Sequence, residues 1–135
     1  LIRLGLQNKI THTFDMDEMI CAPGQGTIAL EIRDEDKTIQ KIISSVNHLE
    51  TSICVNVERS FLKKLEGGCT APIGAYAKLE NGKVLLKGII SSLNGKKYIT
   101  NQALSEYNNS NKLGIKLAKK MLLDGGDEIL SEVRR

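Results

Sequence analysis

The sequence predicts an α+β fold, in which a three-stranded antiparallel sheet carries packed helices and is preceded by the remnant of an α/β domain. Three observations support this. Between Ile73 and Ala103 three short apolar runs are separated by segments containing Asn-Gly, the pair that supplies the positive φ values of tight turns. Stripes of apolar residues at helical spacing lie on both sides of those runs. Residues 1–45 offer one alternating run and fragments of helix, which cannot bury both faces alone and therefore belong with something larger. The expected boundaries are 1–45 for the end of a preceding domain and a hinge, and 46–135 for an independent unit.

The elements follow in order. The opening "LIRLGLQNKITHTF" is mixed, has no initiator methionine and no signal or cleavage pattern, and reads as the middle of a longer protein. "DEMICAPGQG" punctuates it, and in "TIALEIR" Ile28, Leu30 and Ile32 alternate with Ala29, Glu31 and Arg33, the period of a half-buried strand. Asp34, Glu35 and Asp36 suit a helix N-terminus, and Ile39, Ile42, Ile43 and Val46 continue at helical spacing. A second helix is expected from Thr51 as N-cap, burying Cys54, Val57, Phe61 and Leu65 and ending at Gly67, because glycine takes the left-handed C′ conformation without steric cost. The meander "IGAYAKL", "VLLKGII" and "KYITNQA" comes next. A stripe of Leu113, Leu117, Met121 and Leu122 then stops at Gly125 and Gly126, and "DEILSEVRR" makes a last short helix.

Composition narrows the function. The 135 residues suffice for one domain with a core, or one domain and part of another. A net charge of +3 spread along the chain, with only five aromatics, argues against nucleic acid as a partner. No apolar run approaches the roughly 20 residues of a membrane span. Three cysteines without a CxxC pair suggest neither a disulfide framework nor a zinc site, and fit a reducing cytoplasm. His12 and His48 have no neighbours at metal spacing, so structural or surface roles are expected and no metal site.

Two stretches invite chemistry. "PGQG", Pro23 to Gly26, lacks the third glycine and following helix of a dinucleotide loop; it is either a tight turn, or a turn whose bare N–H groups and Gln25 line a ligand cleft. In "LEGGCTAPIG", Gly67 and Gly68 clear the space before Cys69 and Pro72 stiffens the exit. A thiol just past a helix C-terminus gains no acidity from the macrodipole. Cys69 therefore reads either as a small buried residue in a turn or as the attachment point for a very reactive electrophile. Arg3, Arg33 and Arg59 are singly unremarkable, and Arg59 falls opposite Phe61 on its helix. Three arginines brought together would bind a polyanion through paired contacts to carboxylates.

Read together, "ERSFLKKLEGGCTAPIG", "IRLGL", "APGQGTIALEIR", "VNHLET" and "LAKKMLLDGGDEIL" resemble the porphobilinogen deaminase (hydroxymethylbilane synthase) family, in the family's order and over essentially the whole chain. The resemblance implies a transferase of tetrapyrrole and haem biosynthesis that joins four porphobilinogen units, with loss of ammonia, into the linear tetrapyrrole hydroxymethylbilane. It implies a dipyrromethane primer held through a thioether at Cys69, on a cofactor-bearing third domain. By motif, Arg3, Arg33 and Arg59 are ligands for pyrrole carboxylates, Gln25 and Gly26 face the cofactor, and Gly67 and Gly68 leave room beside it. The implied partners are porphobilinogen, the growing polypyrrole and the family's N-terminal domains, with neither nucleic acid nor membrane. The family's catalytic aspartate lies in its N-terminal domain and matches no residue here, so this stretch alone is expected to be inactive. Two other classes stay open: a non-catalytic α+β ligand-binding or interaction module, and a redox sensor at Cys69, for which no resolving cysteine lies nearby.

Overall fold

A computed structural model describes residues 1–65 and 71–133. Its centre is a sheet of β1 (Ile73–Glu80), β2 (Lys83–Ser91) and β3 (Tyr98–Glu106), antiparallel in the order β1-β2-β3. Asn81 and Gly82, with φ of 50° and 74°, form the two-residue turn between β1 and β2 and pair Glu80 with Lys83. The second connection is longer than a tight hairpin: residues 92–97 close around Ser92, whose hydroxyl donates to the Lys97 carbonyl (3.1 Å) and accepts the Lys97 N–H (3.1 Å).

One face of the sheet is covered by helices. α2 (Leu49–Lys64), α3 (Leu113–Met121) and α4 (Asp127–Val133) pack on it. Phe61, Leu65, Val84, Leu86, Ile90, Leu117, Met121 and Leu130 lose essentially all contact with water there. Each such side chain contributes about 1.5–3 kcal/mol of burial free energy. Alternation sets the register: Val84, Leu86, Gly88 and Ile90 of β2 point inward, opposite Ser105, Ala103, Asn101 and Ile99 of β3. Gly88 makes room for the Phe61 ring, because an added Cβ would sit 2.6 Å from Cζ. Gly114 lets α3 cross α2 closely, since a Cβ there would stand 2.3 Å from the Val57 carbonyl oxygen.

The meander and the flanking stripe of Leu113, Leu117 and Met121 match the sequence expectation; Leu122 is only half-buried. The N-cap of α2 lies three residues earlier than expected, at His48 rather than Thr51. His48 Nδ1 lies 2.8 Å from Thr51 Oγ1 and accepts the Thr51 N–H at 3.4 Å. Val57, Phe61 and Leu65 are buried as expected, whereas Cys54 is half-buried. The expected stop at Gly67 lies outside the described residues.

Before α2 the chain is different. Two single 3-10 turns (Ile2–Leu4 and Gln7–Lys9) lead into irregular backbone and then α1 (Lys37–Ser44). Asp36 caps α1 by accepting the Ile39 N–H at 3.0 Å, as the acidic cluster implied. The alternating run 28–33 is not a strand: Ile28 is 83% and Leu30 59% exposed, and no described strand edge lies beside it to complete its hydrogen bonds. Alternation marks a surface suited to pairing, and pairing needs a neighbour. No described helix is long and apolar enough to cross a membrane.

Candidate functional site

The Pro23–Gly26 stretch forms a tight turn, in which Gln25 N–H donates to the Ala22 carbonyl (3.0 Å) and Thr27 N–H to the Gly24 carbonyl (3.1 Å). Gly24 and Gly26 take φ of 77° and 81°, values a side chain would strain. The turn is held from two sides. Upstream, the Ala75 N–H on the open edge of β1 donates to the Cys21 carbonyl at 3.0 Å. Gly74 accommodates that approach, since a Cβ would lie 2.9 Å from the Ile20 carbonyl oxygen.

Downstream the holder is Glu58. This residue of α2 is 6% exposed, and its carboxylate accepts the Gly24 N–H through Oε2 and the Ala77 N–H through Oε1, each at 2.7 Å. One carboxylate thus joins the turn, the helix and the edge strand. Burial pushes its carboxyl above the usual glutamate range, and the two amide donors pull the other way. Burial, and then the nearby Glu58 charge, raise the Cys54 thiol as well.

Beside the turn lies a cleft of about 860 Å³ lined by Gln25, Gly26, Thr27 and Ile28 on one side, and by α1 and the first turns of α2 on the other. Its described lining holds no lysine, arginine, aspartate or glutamate and offers hydroxyl and amide groups from Ser44, Asn47, Thr51 and Asn56, with His48 at one end. A smaller cavity of about 360 Å³ continues between the turn, α2 and β1, bordered by Gln25, Cys54 and Glu58.

Of the residues singled out by sequence, the structure brings Gln25 and Gly26 to this cleft. The arginines do not gather there. Arg3 sits exposed in the first 3-10 turn, Arg33 is exposed and pairs with Asp36 at 3.5 Å, and Arg59 is exposed on α2; none of the three lines either cavity. Cys69, Gly67 and Gly68 lie outside the described residues, in the connection from Leu65 at the end of α2 to Ala71 before β1. His12 contacts Glu18 at 3.3 Å and stands edge-on to Phe14, while His48 caps α2. Among the described residues no three His, Cys, Asp or Glu side chains gather as metal ligands would.

Sequence reasoning missed Glu58. The signal was present, because Glu58 lies on the same helical stripe as Cys54, Phe61 and Leu65, and a carboxylate inside an apolar stripe needs buried donors.

A dipyrromethane has two planar pyrrole rings joined through a tetrahedral CH₂ bridge, and four acid arms. The cleft has the room and the neutral donors for the body, and among the described residues it has no lysine or arginine for the arms; the residues described fit the group in part.

Comparison with known proteins agrees with the motifs. The family model "Porphobilinogen deaminase, C-terminal domain" matches residues 52–123, and "Porphobilinogen deaminase, dipyromethane cofactor binding domain" matches residues 1–41. The porphobilinogen deaminase of Carboxydothermus hydrogenoformans is 41% identical over 98% of this chain and 43% of its own length. That of Prochlorococcus marinus (strain MIT 9215) is 40% identical over 98% of this chain and 42% of its own, and that of Chlorobium phaeobacteroides 39% identical over the whole chain and 44% of its own. The chain thus spans less than half the length of the curated relatives it matches.

Proposed function

The chain belongs to the porphobilinogen deaminase family, and from that premise we propose that it is the cofactor-carrying part of such a transferase. In this reading the enzyme joins four porphobilinogen units head to tail, with loss of ammonia, into hydroxymethylbilane, the linear tetrapyrrole of haem biosynthesis. Residues 46–135 form the attachment domain, and residues 1–45 the end of the preceding domain and the hinge. A dipyrromethane bound through a thioether at Cys69 supplies the primer to which new pyrroles are added.

The observation that carries this reading is the docking of the "PGQG" turn on α2 and β1, which sets Gln25 and Gly26 at the rim of a cleft large enough for a pyrrole pair. The thiol that opens "CTAPIG" serves as the anchor, and Gly67 and Gly68 before it carry no side chain to crowd a growing chain. Arg3, Arg33 and Arg59, exposed and outside both cavities, serve the acid arms only when the chain closes against the rest of the enzyme. That is the role of the family's N-terminal domains, which also supply the acid and base chemistry, for no residue here matches the catalytic aspartate. The working location is the cytoplasm.

The test is reconstitution. This chain alone should form no tetrapyrrole from porphobilinogen, and should form it when mixed with the N-terminal portion of a relative. The Cys69→Ser chain should fail in both. Tetrapyrrole formation by this polypeptide alone, or undiminished rescue by Cys69→Ser, would overturn the assignment.

A further inference from the structure

We propose that Glu58 is a positioning residue whose carboxylate latches the Pro23–Gly26 turn to the edge of the sheet and so fixes where Gln25 and Gly26 stand on the cleft rim. The inference rests on the reading of that cleft given above.

Geometry is its foundation. The two carboxylate oxygens are used one each, at 2.7 Å, on amides 34 residues upstream and 19 downstream of Glu58. Among the described residues no other hydrogen bond joins the turn itself to the folded unit: Gly24 otherwise meets Val55 Cγ1 at 4.0 Å from where its Cβ would be. The Cys21 carbonyl anchors the strand-side approach to the turn, and Glu58 anchors the turn itself. Without the second anchor the turn could pivot about the first.

The chemistry is specific to glutamate. Both partners are N–H donors, so the side chain must present two acceptors, which a carboxylate does and a carboxamide cannot. Glutamine would aim an NH₂ group at one of the two amides and leave that donor facing a donor. Aspartate keeps the charge but is one methylene shorter, too short to span both amides from the same helix position. An apolar residue would suit the stripe and avoid burying a charge, so packing alone gives no reason for a carboxylate there. The reason lies in the amides of the turn and the edge strand.

The test uses the whole chain, isotope-labelled, by nuclear magnetic resonance. In the wild type, the amide protons of Gly24 and Ala77 should titrate with the same midpoint as the Glu58 carboxyl carbon; a flat Gly24 amide across that titration sinks the latch, and this readout needs no variant. In Glu58→Gln and Glu58→Asp, hydrogen exchange at Gly24 to Thr27 should speed by about tenfold, the equivalent of one lost hydrogen bond, while the Leu86 and Ile90 amides stay within about twofold. Unchanged turn amides, or core amides speeding equally, would show a merely structural residue and overturn the proposal. Titrated porphobilinogen should shift the Gln25 and Gly26 amides in the wild type and bind about fivefold more weakly to Glu58→Asp, an effect below a single hydrogen bond's tenfold. If porphobilinogen leaves the wild-type amides unmoved, the reading of the cleft fails, and the titration and exchange results still decide the latch.

Discussion

Residues 1–46 and residues 49–133 obey different physics. Among the described residues the second region has a sheet, three α-helices and a core whose largest side chains are fully enclosed; in the first no residue is buried, and Ile2, Leu4, Ile28, Ile42 and Val46 are each 60% exposed or more. Both carry apolar residues at regular spacing. The difference is that the spacing in 49–133 meets complementary faces within the chain, while α1 and the run 28–33 meet none among the described residues. Apolar periodicity thus marks a surface meant to be covered, and a fold forms only where the cover is present. In the proposed function that cover is the rest of the transferase, with the Glu58 latch as the hinge-side joint.

The comparison can be broken in several places. The heaviest blow falls on the core: Phe61→Ala should cost about 3–5 kcal/mol by urea unfolding, because the ring leaves a cavity over Gly88. Gly114→Ala comes next, at about 2–3 kcal/mol, since the new methyl would sit 2.1 Å from Ser60 Oγ and push α3 off α2.

A pH effect follows from Glu58. Its carboxyl is raised in the folded state, so the folded chain holds that proton more tightly than the unfolded chain does. The stability of wild type relative to Glu58→Gln should be greatest below the ordinary glutamate range and fall as pH rises through the window up to the raised value. Cys54, Glu50 and His48 on the helix side, and Tyr76 and Lys78 on β1, border the same cavity and are common to both proteins, so the difference isolates Glu58. A difference that grew with pH would mean that the two amides outweigh burial. The smallest effect belongs to the open region: Ile28→Ala should change stability by less than about 0.5 kcal/mol. A larger loss would show that residues 1–46 are covered in solution.

Much of this was legible in the sequence. The two Asn-Gly segments, the meander, the stripe through Leu113, Leu117 and Met121, and the acidic cap of α1 are local patterns with local causes. The strand expected at 28–33 failed because pairing is not local, and the start of α2 was misplaced because His48 caps through its ring nitrogen in competition with Thr51. The cleft was legible as far as Gln25 and Gly26. Glu58 was not, because its meaning depends on amides 34 residues upstream and 19 downstream; and the motif that marks Arg3, Arg33 and Arg59 as ligands carries no information on where they stand, for none of the three lines either cavity.

The most direct measurement is the denaturing intact mass of this chain, produced together with the N-terminal portion of a relative in cells that make porphobilinogen, beside its Cys69→Ser variant produced in the same way. The expected result is the added mass of one dipyrromethane on the original chain and none on the variant. An unmodified original, or an adduct that survives the loss of Cys69, would contradict the assignment of this chain as the carrier of the primer.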